Sequence, residues 1–355
     1  MLNAHYIPYE LSFVKPAVTS RNTLFKKKVY LLFVRNSKEP NQFGLGEVAP
    51  FEGLSTDAHS DFEKNMQAML KLINEGFNPL DLELEKLPSF QFGLETALLD
   101  LAMGGKRICF YTNFTQGIEA IPINGLIWMD TEEAMLLQIE NKIQKGFNCI
   151  KMKIGALDFD AECRLLEKVR KKHNAFKLEL RVDANGAFPL DDAVSMLKEL
   201  KRFDLHSIEQ PIKTNNPDAM AALCRKRLVD IALDEELIGV QANLNGFALL
   251  KTINPQYIIL KPGILGGFNT CDAWIAHAQQ LNIPYWITSA LESNVGLNAI
   301  AQYAASKKLS IPQGLGTGSL FENNFRSPLF VSKGYLYCDG NSEDLWFDFL
   351  QLETN

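Results

Sequence analysis

Three acidic residues close short apolar runs at nearly equal intervals: Asp183 in LELRVDANG, Glu209 in LHSIEQP and Asp234 in VDIALDEE. Two lysines end similar runs on either side, Lys153 in CIKMKIG and Lys261 in YIILKPG. An interval of roughly 25 residues is that of one strand plus one helix, so these residues are expected to end successive parallel strands on one rim of a barrel.

The alternation extends well beyond the acids. From Ile121 the strand candidates are 121–127, 148–154, 178–184, 205–210, 229–235, 256–262, 283–289 and 309–315. Helical patterns lie between them, such as TEEAMLLQIENKIQKG, opened by an Asp/Thr cap and closed by glycine, and DDAVSMLKELKRF. Eight such units predict a (β/α)8-type barrel over residues 116–321, with a doubly wound open sheet as the alternative. Upstream the order reverses. Strands YIPYELSF, TLFKKKVYLLFVRN and FGLGEVAP precede helical patterns in DAHSDFEKNMQAMLKLINEG and, after Pro88, in FQFGLETALLDLAMGG. Strands first and helices after predict an α+β capping domain over 1–115, and the tail 322–355 is expected to return to it.

The 355 residues leave room for both units. A net charge of −6 and a pI near 5.5 disfavour nucleic acid or an anionic membrane as partner. The run Lys26-Lys27-Lys28 is read as a solvated strand edge or hairpin. The N-terminus alternates like a strand rather than a signal peptide, and no stretch approaches the roughly 18 apolar residues of a membrane span. Six scattered cysteines without a CxxC predict reduced thiols in a cytoplasmic protein. No histidine has a metal-ligand spacing, and His206 is read as a packing residue. The oligomeric state stays open, a homo-oligomer being possible.

Carboxylates at three neighbouring strand ends repel one another and are costly to desolvate unless a cation neutralises them. Oxygen ligands without Cys or His select Mg²⁺, or Mn²⁺, over zinc. Lys151 and Lys153 lie two apart on a strand and so share its inward face. A divalent ion beside two inward cations favours loss of a proton from one of them, although the carboxylates push the other way. A free lysine titrates near pH ~10.4, so some such lowering is what a lysine base needs. Lys261 stands four strands from Lys153 in a ring of eight and is expected to face it across the cavity. These parts describe one reaction type: a carboxylate substrate chelates the ion, Lys153 removes the α-proton, and an enediolate forms.

The set KMK (151–153), VDANG, IEQP, LDEE and LKPG resembles the enolase superfamily, in its muconate-lactonizing-enzyme-like branch. The likeness covers essentially the whole chain and implies a modified (β/α)7β barrel behind an α+β cap. GLGEVAPFEGLST (44–56), PSFQFGLETALLDL (88–101), PINGLIW (122–128), SALESNVG (289–296) and GLGTGSLF (314–321) resemble the o-succinylbenzoate synthase group of that branch. That resemblance implies syn-dehydration of 2-succinyl-6-hydroxy-2,4-cyclohexadiene-1-carboxylate in menaquinone biosynthesis. Lys153 would be base and then acid, Lys261 would stabilise the enediolate or ring, and Asp183, Glu209 and Asp234 would hold Mg²⁺. Arg21 and the stretch 51–56 are candidates to close over the site. Ser289, Gly316 and Gly318 are candidates for the succinyl carboxylate, and Asn185 for a ligand oxygen or the next turn. Glu235 and Glu236 are read as supports, and Glu292 as a brace for a lysine or a helix cap.

Two opposed lysines also suit 1,1-proton transfer, as in a dipeptide epimerase or an N-acylamino acid racemase. The Asp-x-Asp pair common among epimerases is absent from GLGTGSL, which weighs against the former. A muconate-type cycloisomerase and a non-catalytic metal-stabilised barrel are the remaining alternatives; the second leaves Lys151, Lys153 and Lys261 without a purpose.

Overall fold

The computed structural model describes residues 1–18, 23–155, 158–340 and 345–352. Strands β1 (Leu2–Val18), β2 (Thr23–Asn36) and β3 (Glu39–Val48) form an antiparallel meander in that order. Helices α1 (Phe62–Asn74) and α2 (Pro88–Ala102) cover one face, burying Met66, Leu70, Phe90 and Leu94 against Tyr30, Leu32 and Val34. Pro88 suits the first turn of α2, where a missing N–H costs nothing. Gly44 and Gly46 let β3 lie directly on α2, since a Cβ at either would strike the backbone of that helix.

After the two-residue strand β4 (Ile121–Pro122), seven parallel strands follow: β5 (Gly125–Ile127), β6 (Cys149–Lys153), β7 (Glu179–Asp183), β8 (Ser207–Glu209), β9 (Ile231–Leu233), β10 (Tyr257–Leu260) and β11 (Tyr285–Ile287). They pair strictly in chain order, with no reversal, so the doubly wound alternative is excluded. Helices alternate with them: α3 (Glu132–Gln144), α4 (Phe159–Lys172), α5 (Ala193–Leu200), α6 (Pro217–Lys226), α7 (Phe247–Ile253), α8 (Pro262–Leu265), α9 (Gly267–Gln280) and α10 (Asn294–Ser306). Thr131 caps α3 by accepting from the Ala134 N–H.

The run 309–315 departs from expectation. It forms no regular strand, yet it closes the ring through isolated parallel bridges, Ile123 to Gln313 and Thr288 to Gly314. Pro312 brings no N–H to a ladder, and the Gln313 side chain instead accepts from the Ile287 N–H at 2.7 Å. The barrel is thus seven strands and a seam. A hairpin of β12 (Leu329–Ser332) and β13 (Tyr335–Cys338) then adds to β4, while Phe325 and Phe349 pack on Leu31, Phe33 and Leu45 of the cap.

Two buried or half-buried cap carboxylates grip barrel helices by their N-termini. Glu47 of β3 accepts from the Ser293 N–H and the Gly296 N–H, both at 2.8 Å, at the start of α10. Glu95 of α2 accepts from the Phe268 N–H at 2.5 Å and the Asn269 N–H at 3.1 Å, at the start of α9. Carboxylates there satisfy orphan amides and complement the helix dipole. The cap is fixed to the barrel above its last two strands.

Candidate active site

The strand register carries the site. Lys153 pairs with Asp183 across β6 and β7, Asp183 with Glu209 across β7 and β8, and Glu209 with Ala232 of β9, two residues before Asp234. Each acid therefore stands at the same rim as its neighbour. Lys153 donates to Asp183 Oδ2 at 2.9 Å and to Asn185 Oδ1 at 2.8 Å. Lys151 bridges Asp183 at 3.0 Å and Glu209 at 2.5 Å, and Lys261 pairs with Asp234. All three lysines are largely buried, with 12–13% of each side chain exposed. The five residues read from the strand period meet in one place.

Electrostatics divides the acids. Burial works against the charge of Asp183, but the ammonium groups of Lys151 and Lys153 outweigh it and hold this carboxyl below the usual range. Burial, then Asp183 and Asp234, drive Glu209 well above the ordinary carboxylate value, against the pull of Lys151. Glu209 and Asp234 lie within hydrogen-bonding reach of each other, and Glu209 Oε1 is buried with no hydrogen-bond donor facing it among the described residues. A carboxylate pushed so far against its neighbours, with a lone-pair oxygen left over, fits a hard divalent cation. Burial alone lowers the proton affinity of Lys151 and Lys261; nearby carboxylates reverse this, so the protein's own charges, without a metal ion, leave both raised. With the acids turned onto lysines, no three His, Cys, Asp or Glu side chains among the described residues converge as a preformed metal cage.

The lysines, Asp183, Asn185 and Glu235 border a cavity of about 110 Å³. Phe51 and Leu54 from the cap, with Leu126, Trp128, Trp286 and Leu291, make its apolar walls. Ser289 and Gly316 also border it, and Ser289 shares a 2.8 Å hydrogen bond with Thr317. Gly318 does not; its carbonyl accepts from Asn324 at 2.8 Å and it packs toward Asn294. Arg21 lies outside the described residues. Asn185 turns to its own chain rather than outward, accepting from Lys153 and donating to Glu235 Oε1 at 2.9 Å.

Gln210 escaped the sequence reading. Its amide accepts from the Asp234 and Glu236 N–H groups and donates to Glu236 Oε2 at 2.9 Å, fixing the turn that carries the third acid. Its place directly after Glu209 in IEQP, where φ is +38°, was the available signal. Glu236 supports that turn, as expected. The lysine run was misread in part: Lys26 and Lys28 are exposed, but Lys27 is buried at 7% exposure. Glu292 does not cap α10, whose N-cap is Ser293; its Oε2 accepts from the Ala290 N–H at 2.6 Å and its charge faces Lys27.

Comparison with known proteins bears on this geometry. The family model described as enolase C-terminal domain-like matches residues 134–340, and the MenC N-terminal domain model matches residues 1–101. An o-succinylbenzoate synthase from Desulfotalea psychrophila is 43% identical, the alignment covering 92% of this chain and 96% of that protein. The chain belongs to the o-succinylbenzoate synthase family of the enolase superfamily. A crystal structure of MenC from the same organism superposes with a TM-score of 0.85 at 38% identity, covering 95% of this chain and 99% of the other. A substrate-liganded L-Ala-D/L-Glu epimerase from Bacillus subtilis matches with a TM-score of 0.80 at 19% identity, over 95% of each chain. That likeness shows the fold alone. Family membership rests on the first two relationships, which span cap and barrel together.

Proposed function

We propose that this chain is a Mg²⁺-dependent o-succinylbenzoate synthase, a carbon–oxygen lyase that dehydrates 2-succinyl-6-hydroxy-2,4-cyclohexadiene-1-carboxylate in menaquinone biosynthesis. The observation that carries the reading is the joining of Lys153, Asp183, Glu209, Asp234 and Lys261 at one rim, in a chain 43% identical to a synthase over nearly its full length. Asp183, Glu209 and Asp234 are the residues that would hold the ion. Bound there, a divalent cation, Mg²⁺ or in substitution Mn²⁺, supplies charge neutralisation for the substrate carboxylate as it gains enediolate character.

Lys153 does the proton work. In neutral form it takes the hydrogen from ring carbon 1, and the electron pair moves toward the carboxylate. It then returns that proton to the hydroxyl at carbon 6, which leaves as water from the same face, and the ring becomes aromatic. Asn185 and Asp183 hold the Lys153 amine at a fixed place on the rim. Lys261 stays charged beside Asp234, where it stabilises developing anion and meets the forming ring by cation–π contact. Phe51, Leu54, Trp128 and Trp286 exclude water from the ring. All six cysteines are free and buried, which supports a reducing, cytoplasmic setting. No helix among the described residues is long and apolar enough to cross a membrane.

The test is optical. Purified protein with Mg²⁺ is expected to remove the diene absorbance, and a chelator to stop it. Absence of turnover, together with α-proton exchange of dipeptides in deuterated water, would replace this reading with epimerisation.

A further inference from the structure

Lys27 is the middle member of three consecutive lysines, and it behaves unlike the other two. Lys26 and Lys28 reach outward to the exposed Glu10 and the half-buried Glu63. Lys27 sits on the alternate face of β2 and points into the junction between cap and barrel. Its ammonium donates to the Ala290 carbonyl at 2.7 Å and the Leu291 carbonyl at 2.8 Å, in the loop after β11. The same nitrogen lies 5.2 Å from the centre of the Phe51 ring. Ala290, Leu291 and Phe51 all line the cavity that holds Lys151, Lys153 and Lys261. One buried cation thus touches two of the cavity's walls from behind, one built by the barrel and one by the cap.

The carbonyl cradle has a structural consequence. Leu291, whose carbonyl is the second of the pair, adopts φ +62°, a region that residues other than glycine seldom enter. The loop is held there from three sides: by Lys27 on its carbonyls, by Glu292 on the Ala290 N–H, and by Ser289 on Thr317. The same ammonium faces the buried carboxylates Glu292 and Glu47, so Lys27 balances charge at this junction as well as ordering the loop.

We propose that Lys27 is a positioning residue that holds the Ala290–Leu291 wall in register with Phe51 and thereby sets how tightly the substrate is gripped. It touches no reacting atom. The inference rests on the dehydratase reading for the identity of the substrate, but not for the existence of the clamp.

The experiment compares Lys27→Met with Lys26→Met, an exposed control on the same strand. Amide hydrogen exchange at 289–292 is expected to accelerate in Lys27→Met alone. KM for the cyclohexadiene carboxylate is expected to rise about tenfold, within what an ångström-scale misplacement costs, while kcat changes far less. A merely structural staple would lower the melting temperature and loosen 289–292 but leave KM as it is in the wild type. Either an unchanged exchange rate at 289–292, or an unchanged KM in a variant that turns over the diene, overturns the proposal. If Lys27→Met does not fold, Lys27→Gln, which keeps two donor hydrogens on a shorter arm, is read by the same criteria. Failure of the wild type to dehydrate the diene would instead strike the dehydratase reading, and loop exchange would still decide the clamp.

Discussion

Lys153 and Asn185 are joined by a 2.8 Å hydrogen bond, and Asn185 takes a left-handed backbone conformation, φ +45°, in the arrangement that makes it. Asparagine tolerates that conformation better than most residues, and glycine tolerates it best. The two contributions of Asn185, backbone and side chain, are therefore separable. Asn185→Gly is expected to keep its stability within about 1 kcal/mol yet lower kcat about tenfold, because the Lys153 amine loses one of its two anchors. Asn185→Ala should show the same loss of rate and, in addition, about 1–2 kcal/mol of destabilisation from the strained backbone. Steady-state kinetics and urea denaturation of both variants check this; an Asn185→Gly enzyme with wild-type kcat would contradict it.

The acid cluster predicts a metal-dependent stability. Glu209 is crowded by Asp183 and Asp234, and an ion bound by the three relieves that repulsion only in the folded state. Mg²⁺ at about 100 times its dissociation constant is expected to add about 2.7 kcal/mol to folding stability. Asp234→Asn should lose most of that increment while keeping the fold. Thermal melts with and without Mg²⁺ measure it, and an increment equal in variant and wild type would remove Asp234 from the ligand set.

Glu95 gives the cap-to-barrel contact a pH dependence. Burial raises its carboxyl from 4.5 to about 7, against the Phe268 and Asn269 amides that favour its charge. An acid whose folded value is raised binds more protons folded than unfolded across the interval between the two values. Its contribution to stability is therefore full below pH 4.5 and falls as pH rises to about 7, by an amount of order 1–3 kcal/mol. Glu95→Gln should flatten that segment of the stability profile. Denaturation midpoints at pH 5, 6, 7 and 8 test the slope; a profile unchanged by the substitution would show that Glu95 does not contribute it.

What the sequence made legible follows from period. Asp183, Glu209, Asp234, Lys153 and Lys261 were readable because each sits at the end of a strand, and a regular βα repeat brings strand ends to one rim. The eighth strand reads as regular from its apolar residues, although Pro312 within 309–315 is the residue that argues against a full ladder. Only the folded chain shows the Gln313 side chain meeting the Ile287 amide beside a short set of backbone bonds, such as Gly314 N–H to the Ile287 carbonyl at 2.9 Å. Lys27 was hidden for a different reason. Three lysines in a row look solvated, yet strand alternation turns the middle one inward, toward carbonyls 263 and 264 residues away. Gln210 and Asn185 fall between these cases: their motifs are visible, but their hydrogen-bond partners lie on β6 and in the turn after β9.

The most direct test of the account is the rate of diene dehydration by Lys153→Ala in the presence of Mg²⁺. With its general base and acid removed and its metal ligands intact, the variant is expected to lose activity by about 10²–10⁴-fold while still showing the Mg²⁺-dependent gain in melting temperature. Dehydration at the wild-type rate by a folded, metal-binding Lys153→Ala would contradict the assignment of Lys153, and with it the mechanism.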